Sequence, residues 1–216
     1  MTVELHGYRY SVYSWIARFA LEEKGVAYRW IEIDPFADDV PESYLALHPF
    51  KRVPALIHDG FQIYETGAIT RYLDEAFAGH TLQPAEPRPR ARMNQVLSII
   101  DSYLYWPLVR QVFAHRVFRS RLGWPSDATE IDKGLTAAVV GLDALERLAI
   151  GGPYLCGPEL SLADIHLAPM IGYFTMADEG ASLLKERRKL DDWWSLLASR
   201  KSYLTTRPQL PEGVDS

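Results

Sequence analysis

The segment Phe50–Phe77, FKRVPALIHDGFQIYETGAITRYLDEAF, constrains the fold more than any other stretch of the chain. Val53-Pro54 precedes an apolar run, Ala55-Leu56-Ile57, and Asp59-Gly60 follows it one residue later. Both Asp59 and Gly60 tolerate positive φ, so the spacing predicts a two-residue hairpin. Phe61 and Ile63 alternate with Gln62, the period of a half-buried strand. Beyond Glu65-Thr66 the apolar residues Ile69, Tyr72, Leu73, Ala76 and Phe77 fall at helical spacing. A strand therefore feeds a helix N-terminus capped by the Thr66 hydroxyl, where unpaired N–H groups favour an anion. As a cap, Thr66 has a purely structural role open to it as well.

The residues before this stretch alternate between strand and helix signals. Val3 and Leu5 alternate with polar neighbours up to Gly7, and Trp15, Ile16, Phe19 and Ala20 follow at helical spacing. Lys24-Gly25 reads as the end of that helix, with a basic last turn. Arg29 to Ile33 reads as a second strand, and Glu42 to Leu47 as a short helix after a loop bracketed by Pro35 and Pro41. The order βαβαββα, a βαβ unit completed by an antiparallel hairpin and a helix, is thioredoxin-like. The expected domains are an α/β unit over residues 1–79, a linker over 80–90 and an all-α unit over 91–208.

The linker rests on Pro84, Pro87 and Pro89 in TLQPAEPRPRAR. Past it, Val96, Leu97, Ile100, Tyr103 and Leu104 form one helical stripe, kinked near Pro107. Ile131, Leu135, Ala138, Leu142 and Leu145 form a second, and Leu190, Trp193, Trp194 and Leu197 another. Between them, Ser161-Leu162-Ala163-Asp164 has the capping-box spacing with Asp in place of Glu.

Composition narrows the function classes. With 48% hydrophobic residues the chain of 216 can build real cores, and a net charge of −5 argues against a nucleic-acid surface. The single cysteine, Cys156, excludes an intrachain disulfide and a Cys-x-x-Cys pair, which suits a reducing compartment. The first residues show no signal-peptide pattern and no apolar run reaches membrane-spanning length, so a cytoplasmic protein without a membrane partner is expected. His115 and His166 stand alone, and no metal site is legible.

Four segments together resemble the cytosolic glutathione S-transferases, of the serine-bearing phi and zeta type. They are Ser11-Val12-Tyr13-Ser14-Trp15 with Arg18-Phe19-Ala20-Leu21; His48 to Leu56; Tyr64 to Ile69; and Tyr154-Leu155-Cys156-Gly157 with Ser161 to Asp164. The resemblance implies a transferase that takes glutathione as co-substrate and a small apolar electrophile, binds no permanent cofactor and forms a homodimer. It implies a cis Pro54 that lets the Val53 backbone pair with the cysteinyl part of glutathione. It also implies that Glu65 faces the γ-glutamyl ammonium while Thr66 and the helix N-terminus take its carboxylate. Ser11 is then the candidate for the sulfur, with Ser14 or a tyrosine of the loop, Tyr8, Tyr10 or Tyr13, as competitors. A thiol with a pKa near 8.5 is mostly protonated at neutral pH. One hydrogen bond to its anion, about 1.5–3 kcal/mol, lowers that pKa by about one to two pH units.

Departures from the family pattern leave alternatives open. Asp38, Asp39 and Val40 stand where the phi class tends to place a His-Lys pair for the glycyl carboxylate; Arg52 would reach that carboxylate or stay solvated. Lys51 replaces a usual glycine, and Ser11-Val12-Tyr13 replaces the Ser-Ser-Cys of the zeta class, against a maleylacetoacetate isomerase. Tyr8, Tyr10, Tyr103, Trp106 and Arg110 are the candidate electrophile residues by resemblance, with Phe113 on the same helical face. An aromatic core or dimer stripe explains them equally. A glutathione-dependent disulfide reductase or peroxidase, and a non-catalytic ligand-binding protein of this fold, are the competing functions.

Overall fold

The computed structural model describes residues 1–150 and 152–213, and these divide into two compact units. The first comprises Met1–Thr81 with Thr205–Pro208; the second comprises Leu82–Leu204 and the tail from Gln209.

In the first unit the strands β1 (Val3–Gly7), β2 (Arg29–Glu32), β3 (Ala55–His58) and β4 (Phe61–Tyr64) form one sheet in the order β2-β1-β3-β4. β2 runs parallel to β1, while β3 and β4 are antiparallel neighbours, and the register sets Leu5 beside Trp30 and Leu56. The turn between β3 and β4 has Asp59 at φ 46° and Gly60 at φ 87°, as the two-residue hairpin demands. Helices α1 (Val12–Glu23) and α3 (Thr66–Ala76) pack on each other and bury Trp15, Ile16, Phe19, Ile69 and Leu73. Helix α2 (Glu42–Leu47) builds a separate cluster from Tyr44, Leu47, Ile33 and Ala55, against which Val53 and Tyr64 pack. The mixed sheet with flanking helices has the expected βαβαββα order.

Lys24 differs from its expected role as a cation in the last turn of α1. It is the C-cap residue, and its buried Nζ reaches Asp74 Oδ1 and O at 3.2 Å and His80 O at 3.0 Å. A buried ammonium needs a partner carboxylate and carbonyls, and here they tie the end of α1 to the end of α3.

The second unit is helical. Helix α4 (Pro87–Ile99) opens inside the proline-rich run, because a proline in the first turn forfeits only an N–H that has no partner there. It continues as a π-helical segment, Ile100–Phe118, and a last short turn, α5 (Arg119–Arg121). Along this segment Ile100, Leu104, Leu108 and Val112 are buried, together with Pro107, Val109, Gln111 and Phe113, while Tyr103 is 68% exposed. Tyr103 therefore lies off the stripe expected at ordinary helical spacing.

Helix α6 (Ala128–Leu148) approaches this segment closely at two glycines. A Cβ at Gly134 would lie 2.7 Å from Gln111 Cβ, and one at Gly141 2.3 Å from Leu104 Cδ2. Helix α7 (Leu162–Phe174) is buried on every side, and α8 (Asp178–Lys185), α9 (Arg188–Ala198) and α10 (Lys201–Thr206) follow it. The Asp164 carboxylate of the capping box accepts from Ser161 N, Ser161 Oγ, Leu155 N and Trp193 Nε1, at 2.7–2.9 Å. Burial raises its pKa, and those four donors offset part of that rise.

Candidate active site

Ser11 stands at the turn that joins β1 to α1. The chain reverses through a hydrogen bond from Ser11 N to Tyr8 O, 2.9 Å, and Ser11 becomes the N-cap of α1. Its Oγ accepts the Ser14 N–H at 3.2 Å, which satisfies one of the orphan donors of the first turn. That acceptance uses an Oγ lone pair and leaves the Ser11 O–H proton available to donate, on a side chain that is half-buried.

Ser14 is placed otherwise. It is 1% exposed, and its Oγ accepts the Tyr8 N–H at 3.3 Å. Gly7 makes room for it: a Cβ there would stand 2.7 Å from Ser14 Oγ and 2.6 Å from the Trp30 ring. Of the two serines, Ser11 is the cap and Ser14 is the buried brace of the turn.

Aromatic rings flank Ser11. Tyr8 meets Tyr10 edge-on at 5.3 Å and Phe36 at 6.0 Å, and Phe36 is largely exposed. Burial pushes the Tyr8 phenol up to about 12, so it stays protonated at neutral pH and offers only a neutral O–H.

The segment before β3 forms the second element of the site. Val53-Pro54 is a cis peptide, and Val53 lies two residues before Ala55, the first paired residue of β3. Lys51 sits at φ 50°, in the region where glycine is at ease, and its Nζ donates to Ala37 O at 2.9 Å. Arg52 is exposed, and its carbonyl accepts the Tyr44 O–H at 2.5 Å.

The third element is the entry to α3. Glu65 follows β4 directly, at φ 70° and ψ 117°, and its carbonyl takes Ala68 N and Ile69 N, both at 2.9 Å. Glu65 is therefore the N-cap residue and Thr66 the first helical residue, 7% exposed, which corrects the expectation of a Thr66 cap. The physical reason is the positive φ of Glu65, which reverses the chain without a connecting residue. The Glu65 side chain makes no capping bond, so the first N–H groups of α3 keep their anion-favouring character.

The description "Glutathione S-transferase, N-terminal domain" matches residues 5–81, and "Glutathione S-transferase, C-terminal domain" matches residues 128–193. Glutathione S-transferase F9 of Arabidopsis thaliana is 31% identical over 193 residues, covering 88% of this chain and 89% of its own length. The chain belongs to the glutathione S-transferase family. A rat (Rattus norvegicus) maleylacetoacetate isomerase is also 31% identical, over 77% of this chain and 76% of its own length. The solved structure of glutathione S-transferase III in apo form superposes with a TM-score of 0.86 at 26% identity, covering all of both chains.

In the transferase's second unit, Tyr103 and Trp106 are 68% and 59% exposed, and Arg110 stands over the Trp106 ring at 5.9 Å. Phe113 departs from their face: it is buried and stacks on Tyr173 with centroids 4.0 Å apart. Cys156 is half-buried, and burial pushes its thiol up to about 12, as befits a packed rather than a reactive cysteine.

The sequence reading missed two residues of the first unit. Tyr44 braces the Arg52 carbonyl, and His48, 2% exposed, packs its ring on Tyr64 at 4.6 Å. The apolar pair Tyr44 and Leu47 on α2 was a visible signal for the former. For His48 the sequence offers only its place at the head of the segment His48 to Leu56.

Proposed function

We propose that this transferase conjugates glutathione to small apolar electrophiles, with the Ser11 O–H donating to the glutathione sulfur. The observation that carries the reading is the Ser11 hydroxyl: its lone pair is engaged by the helix it caps, and its proton is available. A donor held this way favours the thiolate over the thiol, and the positive end of α1 adds to the effect.

In the proposed pose the Val53 backbone pairs with the cysteinyl part of glutathione. The γ-glutamyl carboxylate lies at the free N–H groups of α3 and Thr66, and its ammonium faces the Glu65 carboxylate. The positive φ of Glu65 supports this, since backbone strain of about 1–3 kcal/mol at a non-glycine residue concentrates at ligand clamps. Arg52, exposed beside Val53, is the proposed partner of the glycyl carboxylate. Tyr8 and Tyr10 are the proposed walls for the electrophile on this unit.

The reaction follows from these roles. The thiol proton leaves to solvent, the Ser11 donor stabilises the anion, and the sulfur forms a C–S bond to the electrophilic carbon. With an aryl halide, the carbon–halogen bond breaks and halide departs. A steady-state assay with glutathione and a chlorinated nitrobenzene checks the reading against its rivals. Turnover of the aryl halide with little disulfide reduction supports conjugation; the reverse preference refutes it.

A further inference from the structure

His48 is a buried titratable group that the conjugation chemistry does not use. Its ring touches three others: Tyr64 at 4.6 Å, Phe50 at 6.2 Å and Tyr44 at 6.3 Å. Two of these rings belong to residues that set the glutathione site. Tyr44 holds the Arg52 carbonyl, next to Val53, and Tyr64 directly precedes Glu65. One imidazole therefore joins the segment that carries Val53 to the turn that carries Glu65. Its Nδ1 is buried without a hydrogen-bond partner among the described residues.

We propose that His48 is a positioning residue whose proton competes with glutathione: the neutral ring holds the Val53 and Glu65 segments in place, and the charged ring engages the carboxylate that the ligand's ammonium requires. This rests on the glutathione pose given above.

The charged groups around the ring set the sign. Burial disfavours the imidazolium most, the Glu65 carboxylate and a backbone hydrogen bond favour it, and the Arg52 guanidinium opposes it. The rings of Tyr44 on α2 and Tyr64 on β4 face it, and burial raises the Tyr44 phenol away from ionisation. His6 on β1 stacks on the far partner, Tyr44, at 6.0 Å. When the γ-glutamyl ammonium pairs with Glu65, the one carboxylate that favours a charged His48 is neutralised. Bound glutathione therefore makes His48 harder to protonate, and by reciprocity a proton on His48 weakens glutathione. Affinity falls as pH falls through the range where His48 of the free protein takes up its proton.

Calorimetric titration with S-methylglutathione tests this, because that probe carries no thiol to ionise. The readout is the ratio of Kd at about pH 5.5 to Kd at about pH 7.5, in the wild type, His48→Gln, His48→Phe and His6→Gln. Coupling between two sites is commonly about 5–150-fold. Burial holds His48 below 6.5 and only part of it is charged at about pH 5.5, so a wild-type ratio above about twofold is expected. His48→Phe keeps a ring and cannot titrate; His48→Gln keeps a polar group. Both are expected to bring the ratio below about twofold, while His6→Gln keeps the wild-type ratio. If one His48 variant fails to fold, the other carries the test. A ratio unchanged in the His48 variants overturns the inference and leaves the glutathione site standing. A wild type that fails to bind the probe at about pH 7.5 refutes the site itself.

Discussion

Ser11 and Ser14 occupy one turn and answer different needs. Ser11 gives α1 its cap through Oγ, whereas Ser14 is sealed under the turn and satisfies the Tyr8 amide. Removing the Ser14 hydroxyl leaves that amide without its partner, at a cost of about 1–3 kcal/mol. Ser14→Ala is thus expected to lower the urea midpoint while the pKa of the bound glutathione thiol stays at its wild-type value. A raised thiol pKa in that variant would assign the sulfur contact to Ser14 instead. At this scale the residues of the proposed site, Ser11, Val53 and Glu65, stand out by motif. The brace by Tyr44 and the stacking of His48 did not, because both arise from residues that meet only after α2 folds against β3 and β4.

Among the elements, the hairpin was legible because Asp59-Gly60 is one of the few dipeptides suited to two consecutive positive φ values. The winding of Ile100–Phe118 was not. A stripe drawn at ordinary helical spacing included Tyr103, whereas in the π-wound segment Tyr103 is exposed and its neighbour Leu104 is buried. The glycines of α6 were equally silent in the sequence, since their purpose is set by a neighbouring helix. Gly134→Ala gains helix propensity of about 1 kcal/mol but forces a Cβ against Gln111 and the Pro107 carbonyl. Overpacking of about 1–3 kcal/mol outweighs the gain, so a net loss is expected in urea unfolding. Asp164→Ala removes the acceptor for four buried donors and is expected to cost about 3–5 kcal/mol by the same measurement. Asp164→Asn retains an acceptor oxygen and loses less.

For the whole molecule, the buried histidines of the first unit make stability depend on pH. Burial holds His6 and His48 below the ordinary value of 6.5. The unfolded chain therefore takes up protons that the folded one refuses, and stability drops as pH falls below about 6.5. Above that value the contribution is complete and flat. The carboxylates act later: Arg29 lowers Glu4, and the Thr2 amide lowers Asp59. Their contribution is lost only below their ordinary values of 4.5 and 3.8. Urea midpoints read between about pH 7.5 and 5.5 should decline, and the decline should be shallower in a variant with both histidines replaced by glutamine. An equal slope in that variant would show that other groups carry the effect. The helix ladder of the second unit adds no membrane span: no helix among the described residues is long and apolar enough to cross a bilayer.

The central claim is that the Ser11 O–H stabilises the glutathione thiolate, and spectrophotometric titration of the thiolate in the binary complex tests it most directly. The wild-type protein is expected to hold the bound thiol about one to two pH units below its free value near 8.5, and Ser11→Ala to return it there. The loss of the cap costs that variant about 1 kcal/mol of stability, so its folding is checked by urea midpoint in parallel. A thiol pKa in folded Ser11→Ala equal to that of the wild type contradicts the account.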